Sequence, residues 1–182
     1  MTYSQIARRI RVPLGFLTAA VFFWLARPTW MSIAVGCMVA IPGLWLRALA
    51  AGHVRKNAEL TTSGPYAYTR NPLYLGSIII ALGFAIAAFN PWGGLLLIAM
   101  FLAIYLPVIR SEEEYLRNAF PGFDDYARRV PRLLPRLTAA NKEPGSFSRE
   151  LYRKHREYNA LIGAGAMMLA LALKLLYLSR AA

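Results

Sequence analysis

Apolar residues in this chain come in long runs, and the polar residues are gathered into the segments between them. A helix that crosses a bilayer core needs about 20 apolar residues, with about 17 to 25 acceptable. The pattern predicts five spans: Val12–Ala26, Met31–Ala51, Leu73–Phe89, Trp92–Ile109 and Ala160–Leu178. The first is short for a full crossing. The second carries Pro42 and Arg47, so its end is expected at the interface, and Lys174 in the fifth can snorkel from near a helix end. The fold class predicted is all-α, a polytopic membrane protein with about five transmembrane helices.

The joint between the third and fourth runs, residues 90–94 with the sequence NPWGG, consists of turn signals. So short a joint returns the chain to the side it left. Residues 64–76, before the third run, and 110–136, after the fourth, are therefore expected on one face of the membrane. The second of these segments opens with Glu112, Glu113 and Glu114, which continue the fourth helix. Successive helical residues turn by about 100°. At least one of the three can face the bundle, while any single one can equally be solvated or paired with an arginine. Glu113 and Arg117 stand at i and i+4 in the favourable order for an ion pair. Leu116, Phe120, Phe123 and Tyr126 form an apolar stripe, read as packing. The stretch from Val130 to Leu137 holds Pro131 and Pro135 and cannot be a regular helix. It either lies along the membrane or folds back over the site.

Composition and charge agree with this organisation. Apolar residues make up 57% and charged residues 16% of the 182, against about 45–50% and about 25% in soluble domains. All but three of the 21 basic residues fall in three segments: the N-terminus, the link between the second and third runs, and the link between the fourth and fifth. The alternation puts these segments on one side, and the positive-inside tendency makes that side the cytoplasm. The N-terminus is then inside and the C-terminus outside. The net charge of +12 is accounted for by topology and by anionic headgroups. No basic face belongs to a nucleic-acid fold, so no nucleic-acid partner is expected. Cys37 stands alone, which excludes a disulfide framework. His53 and His155 are far apart and show no metal-ligand spacing, so no metal is expected. Arg8, Arg9 and Arg11 look like the start of a signal peptide, but no small-x-small cleavage site follows the first run, and a retained span is expected. A bacterial inner membrane is the expected location.

Residues 64–76 read GPYAYTRNPLYLG. Pro72 suits the first turn of the third helix, with Asn71 near its N-cap. A helix start also favours anions. Tyr66, Tyr68 and Tyr74 are either interface aromatics or walls of a pocket for a flat or cationic ligand. Gly76 permits close approach of a helix or a ligand.

This stretch resembles the G-P-Y-x-x-x-R-[HN]-P-x-Y-x-G pattern of the isoprenylcysteine carboxyl methyltransferases and their phospholipid methyltransferase relatives. The sequence EEEYL is similar to the family's E-E-x-x-L, and FPGFDDYARRVPRLLP to its proline-rich tail. The likeness covers about residues 44 to 136, with the three motifs in the family's order. It implies an integral-membrane methyltransferase using S-adenosyl-L-methionine on the cytosolic face, with a lipophilic substrate reaching the site from the bilayer. Carried over, the cofactor contacts are Tyr66, Arg70, Asn71, Pro72, Tyr74, Gly76, Glu112 and Glu113. Glu113 is also a candidate proton acceptor, and Arg129 and Arg132 would orient the substrate's polar end. The residue types fit: carboxylates for an amine or ribose, aromatics for adenine or a sulfonium, arginine or a helix start for a carboxylate. Asn71 replaces the histidine usual in carboxyl methyltransferases and is closer to the phospholipid N-methyltransferase branch. A nicotinamide-dependent reductase related to sterol reductases, and a non-catalytic lipid-binding scaffold, are the alternatives. Residues 1–138 are read as the core. Residues 139–182 are a basic linker, a surface helix starting at Ser148 or Arg149, and the fifth span, whose small residues around Gly163 are an alternative oligomer contact.

Overall fold

The computed structural model describes residues 3–55, 58–141 and 145–181, with side chains from residue 13 to 180. The basic side chains of Arg8, Arg9, Arg11, Lys56 and Lys142 fall outside this description. Seven α-helices are described: α1 (Tyr3–Leu25), α2 (Trp30–His53), α3 (Pro72–Ala88), α4 (Pro91–Ala119), α5 (Phe123–Arg129), α6 (Arg149–Lys154) and α7 (Tyr158–Ala181). A 3-10 turn, Gly64–Ala67, precedes α3. Each expected run lies in its own helix. Helices α2, α4 and α7 are long and apolar enough to cross a membrane, while α3 and the apolar part of α1, Pro13–Leu25, are shorter. The protein is an integral membrane protein of the polytopic all-α class.

Helices α2 and α3 form the tightest pair, and glycine makes it possible. A Cβ built on Gly36 would lie 2.5 Å from the Gly83 carbonyl oxygen, and one on Gly43 would lie 2.7 Å from that of Gly76. Pairing 36 with 83 and 43 with 76 makes the helices antiparallel. Without a hydrophobic drive between helices in lipid, close backbone approach at small residues is what holds such a pair. At the far end Thr29 and Ser32 cap α2 reciprocally, and the Ser32 hydroxyl lies 3.0 Å from the Ala87 carbonyl oxygen.

Helix α4 begins after a turn in which Phe89 takes φ 46° and the Asn90 side chain accepts from the Trp92 amide. Its middle, Phe101–Tyr105, is a π-helical turn. Pro107 cannot donate to the carbonyl four residues back and would press on it, and the wide turn lies immediately before it. Beyond Ile109 the helix continues through all three glutamates, as expected. Helix α7 crosses beside α1, where Lys174 Nζ donates to the carbonyls of Phe23, Trp24 and Ala26 and so caps the end of α1. The buried Phe22, Ala26, Ala87, Ala88 and Leu171 close this end of the bundle.

At the opposite, basic end, residues 145–157 do not lie free on the surface. The Ser148 amide donates to Gly52 O at 2.9 Å, and His155 Nδ1 lies 3.0 Å from Ala51 O. The Phe147 ring fills the space that a Gly52 side chain would need. Arg47 Nε meets Glu157 Oε1 at 2.5 Å. A helix does start at Arg149, capped by Ser148, but it is one and a half turns long and ends before Arg156, which has φ 51°.

Candidate active site

The two polar segments meet on one face, as the hairpin requires, and the proline-rich stretch folds back over residues 64–71. Backbone bonds tie them together: the Arg70 amide donates to Pro131 O, Arg136 to Tyr68 O and Ala140 to Ala67 O, at 2.9 to 3.0 Å. The buried Thr69 hydroxyl lies 3.2 Å from both Arg132 O and Leu133 O. A run whose prolines exclude helix is thus held as an extended strap. Beneath it, Phe123, Tyr126 and Val130 form a buried cluster with Leu116 packed against it, so three of the four stripe residues serve packing. Tyr126 donates its hydroxyl to Tyr66 O at 2.8 Å.

Glu113 is the centre of the arrangement. Of the three glutamates it alone is buried, at 4% exposure, while Glu112 is half-buried and Glu114 is exposed. Asn71 Nδ2 donates to its Oε1 at 3.1 Å, and Arg132 approaches its Oε2 through Nε at 2.8 Å and Nη2 at 2.7 Å. Arg70 Nε lies 3.2 Å from Oε1 but is misaligned for a hydrogen bond. Among the described residues it is the buried side-chain nitrogen without a hydrogen-bond partner. The Arg70 Nη1 donates to Ala127 O. The Glu113–Arg117 pair expected from helical spacing does not form. Glu113 turns inward, and Arg117 stays at the surface with Asp124 at 2.8 Å.

The other candidates divide. Asn71 occupies the N-cap position of α3, yet its side chain makes no capping bond and reaches Glu113 and Arg132 O instead. Pro72 is buried in the first turn. Tyr66 is buried in the loop. Burial holds its phenol well above the ordinary value, with Tyr126, Glu112 and Glu157 pushing the same way and Arg47 opposing. Glu112 is therefore within electrostatic reach of Tyr66. Burial also raises the Tyr126 phenol, against the pull of Arg70. Tyr74 packs edge-on to Tyr105 of α4, and Gly76 faces Arg47 and Gly43 of α2. Arg129 is exposed and reaches Asp125 O and Asn141 rather than Glu113.

Thr69 and Glu157 were not singled out in the sequence, and Arg47 was read only as a sign that the second run ends at the interface. Arg47 joins three elements: besides Glu157, its Nη1 donates to Leu73 O at 3.2 Å and to Ser77 Oγ at 2.5 Å. Only the position of Arg47 near the C-terminal end of an apolar run hinted at such a role.

Fold and site together define a polytopic helical membrane protein in which a buried carboxylate joins a Tyr/Arg/Asn/Pro loop to a proline-rich strap. The phospholipid methyltransferase profile matches residues 31–122. The chain belongs to the phospholipid methyltransferase family. It is 38% identical over 136 residues to the nickel-cobalt-cadmium resistance protein NccN of Alcaligenes xylosoxydans xylosoxydans, covering 68% of this chain and 63% of that protein. It is 36% identical to the cobalt-zinc-cadmium resistance protein CzcN of Cupriavidus metallidurans, covering 70% and 62%. The chain thus spans under two thirds of the length of these two relatives. With the probable protein-S-isoprenylcysteine O-methyltransferase of Oryza sativa subsp. indica it shares 30% identity, covering 67% of this chain and 71% of that protein. No solved structure matches the chain.

Proposed function

We propose that this protein is an S-adenosyl-L-methionine-dependent methyltransferase acting on a lipophilic substrate at the cytosolic face of a membrane, with the basic end of the bundle inside. The observation that carries the reading is the convergence of Arg70, Asn71 and Arg132 on the buried Glu113. It joins the motifs into one site at a membrane boundary, where an unused carboxylate is costly.

The donor set suits the cofactor. Arg70 offers a buried N–H without a hydrogen-bond partner, and the start of α3 favours an anion. Both suit the carboxylate. Glu112 suits the amine or ribose, and Tyr66 and Tyr68 offer aromatic faces to the adenine or sulfonium. When bound, the cofactor supplies an activated methyl group for in-line displacement. The chain's part is to align the reactants and exclude water. Glu113 fixes the strap through Arg132 and the loop through Asn71, so the strap covers the site. An oxygen nucleophile that is already a carboxylate needs no base; an amine or thiol needs a proton acceptor, and Glu112, whose carboxylate is not held by those donors, supplies one. Arg129, exposed at the edge of the strap, orients a polar group arriving from outside. In this reading residues 1–138 are the core and residues 139–182 close it. The metal-resistance names of two relatives do not turn the site into a metal centre. Both oxygens of Glu113 are engaged by guanidinium and amide donors, and among the described residues no three His, Cys, Asp or Glu side chains are grouped to hold a metal ion.

The test is calorimetric titration of the detergent-purified protein with S-adenosylhomocysteine, with a nicotinamide cofactor as control. Saturable binding of the former alone, lost in Glu113→Gln, supports the reading. Binding of the nicotinamide cofactor instead, or no binding by folded protein, overturns it.

A further inference from the structure

The strap that folds over residues 64–71 has an outer side. Leu134 and Leu137 stand on it at 80% and 100% exposure, above every other large apolar side chain described. Most of the other exposed apolar side chains lie on the long apolar helices, where lipid covers them, but these two lie on no helix. Nor are they on a loose end. The Arg70 amide donates to Pro131 O, Arg136 to Tyr68 O and Ala140 to Ala67 O, so the backbone is pinned on both sides of the leucines. The buried Thr69 hydroxyl adds the carbonyls of Arg132 and Leu133. A backbone fixed in this way holds both side chains outward.

Height and charge say what covers them. Tyr68 and Arg70, which pin the strap, stand just before Pro72, where α3 enters its apolar run. The strap is therefore level with the membrane boundary, within a side chain's reach of headgroups and the first acyl carbons. Residues 128–137 read RRVPRLLPRL, with four arginines and no acidic residue. Arg132 is taken by Glu113. Arg129 and Arg136 are exposed, and among the described residues they donate only to uncharged oxygens, those of Asp125 O, Asn141 and Arg129 O. Arg128 has Asp125 at 3.4 Å, but both side chains are more than 70% exposed, and such a surface pair is weak. Exposed leucines rimmed by positive charge that the chain does not neutralise form a surface complementary to anionic lipid. A second copy of the same surface carries the same charge and is repelled.

We propose that the outer side of the strap is a docking surface for anionic lipid, with Leu134 and Leu137 in the boundary between headgroups and acyl chains and Arg128 and Arg136 on lipid phosphates. The leucines alone would take any lipid, and the arginines select an anionic one. The same backbone carries Arg132 to Glu113, so the lipid outside and the carboxylate inside favour one position of the strap. A ligand that binds only the docked strap shifts its equilibrium toward docking. The charge of the membrane is thereby felt at the buried carboxylate. The inference stands independently of methyl transfer.

The experiment uses the full chain in lipid nanodiscs of phosphatidylcholine, with or without phosphatidylglycerol. A nitroxide is attached at Leu137→Cys, or at Gly122→Cys beyond the far end of α4, in a Cys37→Ser background. Its collisions with oxygen and with a water-soluble nickel chelate are compared. The label at 137 is expected to favour oxygen and the label at 122 nickel. In unlabelled protein, hydrogen exchange over residues 136–140 should be slower by about tenfold or more in discs with phosphatidylglycerol. High salt should remove the difference, and Arg128→Gln combined with Arg136→Gln should reduce it. Because Arg136 also bonds the Arg129 carbonyl, the salt arm is the one that leaves the fold untouched. A label at 137 as open to nickel as the one at 122 puts the outer side in water and overturns the proposal. A label at 137 shielded from both reagents marks a protein contact and overturns it too. So does exchange that is indifferent to phosphatidylglycerol.

Discussion

Asn71 turns its side-chain amide away from the helix it begins and donates to Glu113 Oε1 at 3.1 Å. The contact spans 42 residues of sequence and joins the loop before α3 to the C-terminal part of α4. Its chemistry depends on the amide being a donor. Asn71→Ala removes one charge-assisted hydrogen bond and is expected to cost about 2 kcal/mol. Asn71→Asp places a second carboxylate against the first and is expected to cost about 3 kcal/mol or more. In a Glu113→Gln background the excess cost of the aspartate should disappear. Thermal unfolding of the four proteins in detergent measures this. An aspartate no worse than alanine in the Glu113 background would mean that the amide is not holding the carboxylate.

The helix pair α2–α3 gives a second test. Gly36→Ala brings a Cβ to 2.5 Å from a backbone oxygen that cannot rotate away. The helices must separate, at about 1–3 kcal/mol. Gly165→Ala meets nothing within 4 Å and should be neutral or stabilising by up to about 1 kcal/mol. Equal effects of the two substitutions on the unfolding midpoint would show that α2 and α3 are not in backbone contact.

Much of this was legible in the sequence. Long apolar runs fix helices because a bilayer core leaves no other partner for their backbone. The NPWGG turn fixed which segments share a face by simple geometry. The direction of Glu113 was not legible, because three adjacent glutamates differ by rotation alone and packing chooses among them. The Glu113–Arg117 expectation failed for the same reason: local spacing favoured it, but burial gave Glu113 two more distant arginines. Arg47 and Glu157 are 110 residues apart, and no local pattern marks such a pair. The strap was half legible: its prolines excluded helix but could not say what it covers.

Alkaline pH probes the buried loop. Burial raises the phenols of Tyr66 and Tyr126 above the ordinary value of 10.0. In the unfolded chain both ionise near pH 10, while in the fold both keep their protons. The unfolded state thus binds fewer protons, and stability falls as pH rises above about 10. Below that pH these groups give no dependence. Each contributes a slope of about 1.4 kcal/mol per pH unit while only the unfolded form is ionised. Tyr66→Phe should reduce the slope by one such contribution. Ultraviolet titration should show these two tyrosines ionising only with unfolding. A full complement of tyrosinate in folded protein near pH 10 would contradict their burial.

Arg47 is the last case, and its geometry separates it from a lysine. Its Nε meets Glu157 while Nη1 reaches Leu73 O and Ser77 Oγ, so one planar fork serves α3 and the entrance to α7 together. An ammonium is a point donor that lacks this fork. With both side chains of the pair largely buried, Arg47→Lys keeps the charge but cannot satisfy both sides at once. The expected result is looser docking of residues 145–157 on the end of α2, seen as faster proteolysis between Arg149 and Arg156, with the unfolding midpoint lowered by the equivalent of about 1–3 kcal/mol. Glu157→Gln should loosen the same segment, and the double variant should be little worse than either single one, because the two substitutions break the same contact. Strict additivity of the two, or unchanged proteolysis in Arg47→Lys, would show that the C-terminal segment is held by Phe147 and the backbone bonds to Gly52 alone.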